Sequence, residues 1–326
     1  MAALIKPAPR VHAPELLDLR QLTARDLDAM LTQETRTWKE TLDWDFQKSA
    51  DLVRHFLDQR SLYGYALLSA GRVIGYSYYV FEEHKGLIGD LYVLPDYESP
   101  EHDCRLLTAV LDGLIATPHI RRIECQLMTV HEDAARSLPA ARYLQAFDRD
   151  FMLADLDVLS ALPPTRLSRR IAIEKWAEHH QEATAHLIAE SYRGHLDARI
   201  NDQYRSVAGA RRFLYNIVQY PGCGNFFKPA SLVALDLDSG ELCGLSLTSL
   251  VADDVGHVTQ LCVSPKARGT GLGYELLRQS LQLLREAGCG RASLTVTSAN
   301  LEAMRLYRNA GFRSLRRFGA YVWEGF

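Results

Sequence analysis

Three stretches of the chain carry residue types and spacings that could do chemistry. In "KARGTGLGYELL", Lys266 to Leu277, glycines stand at 269, 271 and 273, just after Arg268 and before leucines at helical spacing. A helix leaving such a turn presents unpaired N–H groups and the positive end of its dipole, which together bind anions. Glycine keeps side chains out of the ligand's way and allows a turn with positive φ. A P-loop needs G-K-[ST] and a dinucleotide fingerprint needs G-x-G-x-x-G with a later acid; the spacing here is R-x-x-G-x-G. A second stretch, "TSANLEAMRLYRNAGF", holds Asn300 and Tyr307 on an expected helix. A phenol with a reference pKa of ~10 keeps its proton at neutral pH and can donate it. The third, "SYRGHLDARINDQYR", gathers His195, Asp197, Arg199, Asn201, Asp202 and Tyr204 in a polar segment that reads as a substrate-binding lid. No Cys or Ser in these motifs stands in a nucleophile-plus-base pattern, so any group transfer is expected to be direct.

The elements that must hold these groups show in an internal repeat. "GLIGDLYVLPDYESPEHDCRLL", from Gly86, aligns without a gap on "GHVTQLCVSPKARGTGLGYELL", from Gly256, an offset of 256 − 86 = 170. Both read as an apolar strand ending in V-x-P, a polar turn and a helix. Hairpin turns are expected before each, at Ala70-Gly71 and around Asp238-Ser239-Gly240, and a further strand after each, "RIECQLMT" and "RASLTVTS". The expectation is an α/β fold of two tandem domains, each a twisted mixed sheet flanked by helices. Their bounds are 1–158 and 170–326, with the Pro-Pro segment 159–169 as linker. At the offset, Arg268, Gly271 and Gly273 correspond to Glu98, Glu101 and Asp103, so the first copy carries acids where the second could hold an anion. It also offers Leu138, followed by Pro139, where the second has Tyr307.

Composition narrows the classes. The 326 residues are 47% hydrophobic and 24% charged, enough for two cores and against disorder. A net charge of −3 gives no reason to expect nucleic acid or an anionic membrane as partner. The first residues lack a signal-peptide core, and a cytoplasmic protein is expected. Six cysteines without a C-x-x-C pair predict neither a disulfide framework nor a metal site.

The V-x-P strand, R-x-x-G-x-G loop and later Asn–Tyr–G-F segment together resemble the GNAT superfamily of N-acetyltransferases. The resemblance implies an enzyme transferring an acetyl group from acetyl-CoA, as cosubstrate, to a primary amine of a small molecule or peptide. It implies that the backbone of Leu261, Cys262 and Val263 pairs with pantetheine, and that Arg268 and the amides of Gly269, Thr270, Gly271, Leu272 and Gly273 hold the pyrophosphate. Asn300 would lie along the pantetheine arm and Tyr307 would protonate the leaving thiolate. His257 matches the position of the base in the histone-acetylating branch. The acceptor would meet His195, Asp197, Arg199, Asn201 and Tyr204. Where peptide N-terminal acetylating relatives carry a Glu, this chain has Thr295, a departure from that acceptor class. A non-catalytic acyl-CoA-binding sensor or interaction module, and a mycothiol-synthase-like acyltransferase acting on an amino sugar, are the alternatives. With its acids, the first domain is expected to bind no CoA.

Overall fold

Turn chemistry sets the hairpins. Ala70 and Gly71 have φ of 49° and 78°, the two left-handed residues that a two-residue turn needs to match strand twist. The computed structural model describes residues 13–130, 138–157, 162–220 and 222–326. The first half runs β1 (Glu15–Asp18), α1 (Ala24–Leu42), α2 (Gln47–Asp58), β2 (Tyr63–Ser69), β3 (Arg72–Glu82), β4 (Lys85–Val93), α3 (Pro100–Ile115), β5 (Arg122–Leu127) and β6 (Leu144–Asp155). The second runs β7 (Ile171–Lys175), α4 (Gln181–Ser191), α5 (Asp197–Ile200), α6 (Val207–Gln219), β8 (Asn225–Phe226), β9 (Leu232–Asp236), β10 (Leu242–Ala252), β11 (Val255–Val263), α7 (Leu272–Glu286), β12 (Arg291–Thr297), α8 (Leu301–Asn309) and β13 (Arg313–Glu324). Part of the linker and residues 131–137, before the Leu138 counterpart of Tyr307, lie outside the described residues.

The repeat extends to backbone detail. Register skips Gly89 between Tyr79↔Ile88 and Tyr78↔Asp90, and skips Thr259 between Thr248↔Val258 and Leu247↔Gln260. The two bulges stand at the 170-residue offset, and each turns the end of its strand. Beyond each bulge the strand loses its parallel neighbour. β4 pairs with β5 only to Ile88↔Cys125, and β11 with β12 only to Val258↔Leu294, although β11 continues to Val263 and β12 to Thr297. Each half therefore opens a V-shaped gap in the sheet.

All strands join in one sheet, in the order β1-β2-β3-β4-β5-β13-β6-β12-β11-β10-β9-β7, with β8 on β10. The closing strands are exchanged between halves. β13, last in the chain, lies between β5 and β6, while β6 of the first half pairs along its length with β12 of the second, from Arg291↔Asp155 to Thr297↔Arg149. The cores merge accordingly: Trp38, Trp44 and Phe46 of the first half pack in one cluster with Phe151, Val251, Val255 and Phe318. Trp38 stacks on Phe46 at 4.8 Å between centroids. Burying such aromatics contributes about 1.5–3 kcal/mol each, and here they weld the halves.

Candidate active site

The glycine-rich turn has the backbone its residues dictate. Gly269 and Gly271 have φ of 74° and 84°, and Gly271 is the N-cap of α7 without a side-chain capping bond. The first internal bond is Glu275 N to Gly271 O, so the amides of Leu272, Gly273 and Tyr274 are left for a ligand. The Leu272 side chain is buried under α7, so only its backbone can serve. Thr270 Oγ1 ties back to Ala267 O at 2.7 Å, and Arg268 donates to Ser191 O at 2.6 Å, anchoring the loop to the end of α4.

The first copy is closed. Ser99 caps α3 through His102 N at 3.2 Å, Pro100 has no N–H to offer, and Glu101 and Asp103 fill the first turn. The small cavity that remains there, about 50 Å³, is lined by Thr37, Tyr92, Glu98 and Asp103 among others. Its carboxylates would repel a phosphate by about 1 kcal/mol in bulk water at 4 Å and more where water is excluded.

In the second half the gap between β11 and β12 joins two faces of the sheet. On the α7–α8 face lies Tyr307, 8% exposed, packed in the cluster of Leu294, Val296 and Phe312. Its hydroxyl has no hydrogen-bond partner among the described residues. Burial, reinforced by the charge of Asp197 and opposed by Arg149, pushes its pKa above the ordinary 10, which keeps the proton on oxygen. Leu261, Cys262 and Val263 border the gap, paired with β10 on one side only; Ser191 Oγ donates to Val263 O at 3.3 Å. Burial pushes the Cys262 thiol up to about 12, leaving no thiolate nucleophile.

On the opposite face, Asp197 Oδ1 accepts from Thr297 Oγ1 at 2.5 Å, and its backbone N–H donates to His195 Nδ1 at 3.2 Å. Asn300 caps α8 through Ala303 N, with its Nδ2 at 3.4 Å from His195 Nε2. Tyr204 stacks on Tyr192 at 4.4 Å between centroids, and both hydroxyls bond Gln260. These residues meet around the gap, and Tyr192, Gln260 and Thr297 belong with them although the sequence reading passed over them.

Several expectations need correction. His257 sits far inside, 5% exposed, with Nδ1 at 2.9 Å from Ser293 Oγ and its ring against Trp44 and Phe151. Burial, with Arg149 adding, lowers its pKa to about 3, which keeps the ring neutral among core residues. Arg199 leaves the gap to bond Gln145 at 2.9 Å and lie over Phe147, both on β6. Asn201 accepts from Gln203 N and shapes a turn.

The segment read as a lid is clamped. Lys85 meets Asp202 at 2.5 Å and Glu82 and Glu124 at 3.3 Å, Arg122 donates to Arg199 O at 2.6 Å, and Asp202 N donates to Glu124 at 3.0 Å. The partners do not gain equally. Burial works against the charge of Lys85, yet its carboxylates outweigh this and raise its pKa; Glu124 is raised by burial despite Lys85 and Arg122. The distances favour full pairing, and removing one partner would leave a buried charge, which typically costs about 3–5 kcal/mol.

Residues 199–312, within the second half of the chain, match the Acetyltransferase (GNAT) family. The chain is 38% identical over 87 residues to a mycothiol acetyltransferase of Thermomonospora curvata, 27% of this chain and 29% of that one. It is 35% identical over 83 residues to a streptothricin acetyltransferase of Streptomyces lavendulae, 25% of this chain and 43% of that one. The matched stretch thus spans less than half of either relative. Over the whole chain the fold is that of a GCN5-related N-acetyltransferase from Sphaerobacter thermophilus, with a TM-score of 0.67, 17% identity and 95% of each chain covered. A tandem GNAT protein from the clavulanic acid biosynthesis pathway superposes with a TM-score of 0.61 at 15% identity, over 95% of this chain and 98% of that one. Both likenesses are of fold, over nearly the whole chain.

Proposed function

We propose that the chain is an N-acetyltransferase that moves an acetyl group from acetyl-CoA to a primary amine by direct attack, using only the gap in its second half. The observation that carries this reading is the unpartnered, protonated hydroxyl of Tyr307 at an opening in the sheet, with the free amides of the glycine loop on its own face and Asp197 on the other. CoA would enter from the α7 side, its pyrophosphate on the loop amides and its pantetheine along the unpaired edge of Leu261 to Val263. The amine would enter from the α5 side, where Asp197 takes the proton it must lose. Its nitrogen attacks the thioester carbonyl, the C–S bond breaks, and the leaving thiolate takes the proton of Tyr307, which solvent replaces. Holding both substrates at one gap supplies much of the rate.

The match to mycothiol acetyltransferases supports acyl transfer but covers under a third of each chain, so an amino sugar acceptor remains the second reading. The test is thiol release from acetyl-CoA across amino acids, polyamines, amino sugars and peptides, with mass spectrometry of the protein incubated without acceptor. Turnover with no acetylated protein is the expected result; an acetyl-enzyme would exclude direct attack.

A further inference from the structure

The acceptor side of the gap carries a second charge, contributed by the other half of the chain. Arg149 lies on the exchanged strand β6, opposite Thr297 in register. Its Nη2 donates to Thr295 Oγ1 at 3.2 Å and its Nη1 to Gln126 Oε1 at 2.8 Å. Both partners are neutral oxygens. Its Nε is buried with no partner, and among the described residues Arg149 forms no ion pair. A partly buried guanidinium without an anion and with one donor unsatisfied is costly. It persists where something else supplies the missing partner. Its bond to Thr295 places it on the face of β12 that also carries Thr297 and, through it, Asp197.

The spacing of the two charges follows from β12. Thr295 holds Arg149 and Thr297 holds Asp197. Residues two apart point to the same face of a strand, with Cα atoms roughly 6.6 Å apart. A ligand bridging a carboxylate and a guanidinium so placed, at about 2.8 Å from each, has room for only a short spacer between its own charges.

We propose that the acceptor is a small amino acid, its carboxylate held by Arg149 and its amine by Asp197. This rests on the acetyltransferase reading and narrows its substrate class. It also gives the first half of the chain a direct part in the site, because β6 carries the carboxylate-binding group across the strand exchange. An ammonium alone would leave Arg149 unmatched, and a long polyamine would bring a second cation against it.

The experiment compares matched acceptors in the full-length protein: α-amino acids, their amides, and the amines that lack the carboxyl group, read as kcat/KM for thiol release. We expect the acid to be preferred by at least tenfold for one side-chain class, the preference lying in KM. In Arg149→Gln the ratio of acid to amide should collapse to about one, and Arg149→Lys should recover part of it. Melting temperatures of both variants confirm that the fold is intact. Turnover of polyamines or amino sugars with no preference for a carboxylate would overturn the inference and leave the acetyltransferase reading standing. A preference that survives in Arg149→Gln would also overturn it. No thiol release with any of the acceptors, despite bound acetyl-CoA, would remove both.

Discussion

Each residue's place around the gap sets what its replacement should do. Among the described residues the Tyr307 hydroxyl has no hydrogen-bond partner, so Tyr307→Phe should leave stability and CoA affinity nearly unchanged while lowering kcat by ~10²-fold or more; stopped-time thiol assays and calorimetry separate the two. His257 is expected to act on stability rather than on rate. Its depressed pKa means that the unfolded chain binds a proton the native one refuses. Its contribution is therefore present above the unfolded value near 6.5 and is lost as the pH falls toward about 3. Asp90 has the opposite sign. Burial raises it to about 6, and the adjoining Glu34 is also raised, by burial and by the charge of Asp90. That stability is present below pH 4 and lost as the pH rises through about 6. The two windows overlap between about pH 4 and 6 with opposite slopes, so urea unfolding across pH 4 to 8 should vary less than either group alone would dictate, and each single replacement should expose the other's slope. Asp90→Asn should remove the falling slope, roughly 1–3 kcal/mol, and His257→Gln should remove the rising one without moving the acid limb of kcat/KM.

At the scale of elements, the glycine loop and its closed counterpart differ in what they leave unpaired. Copying an acid from the first copy into the second tests this, but position matters. Gly271 has a φ of 84°, and a Cβ there would lie 2.6 Å from Thr165, so Gly271→Glu would strain the turn whatever its charge. A Cβ on Gly273 meets Val263 at 3.5 Å and Leu306 at 4.0 Å, both ordinary contacts, and needs no positive φ. Gly273→Asp should therefore keep the melting temperature within a few degrees and abolish acetyl-CoA binding in a calorimetric titration. Unchanged binding would mean that the loop amides do not hold the pyrophosphate. The clamp on α5 is the second test. Lys85→Met takes the cation shared by Asp202, Glu82 and Glu124, of which Glu124 keeps Arg122 and Glu82 keeps Arg212, and should lower stability by up to about 3–5 kcal/mol, with KM for the acceptor rising because Asp197 lies on the segment that the clamp anchors.

For the whole molecule, the exchange of β6 and β13 has a plain consequence. Residues 170–326 expressed alone would lack β5 and β6, exposing one edge of β12, both edges of β13 and the second-half residues of the Trp44–Phe151 cluster. That fragment should be insoluble or unfolded by circular dichroism, and co-expression with residues 1–169 should recover a soluble complex. The intact chain should bind one acetyl-CoA, since α3 is capped by its own side chains and carries carboxylates where phosphate would sit; a stoichiometry of two would contradict the closed first copy.

Local chemistry was legible in the sequence because it depends on neighbours along the chain. Glycines at 269 and 271 imply their positive φ, Ala70-Gly71 implies its turn, and the 170-residue repeat implies two similar units, to which the strand registers add matching bulges at Gly89 and Thr259. Tyr307 could be singled out from its motif, although nothing along the chain told that its hydroxyl would be left unpartnered. What only the tertiary structure decided was which distant groups meet. His257 looked like a base from its place on a strand, yet Trp44 and Phe151, more than 100 residues earlier in the chain, bury it. The polar run from Ser191 to Arg205 looked uniform, yet packing divides it. Asp197 goes to the gap, Arg199 to β6 and Asp202 to Lys85. Arg149 carried no signal at all, because a strand that leaves its own half to pair in the other places its side chains by sheet register, and register between strands far apart in sequence is fixed by the assembled core.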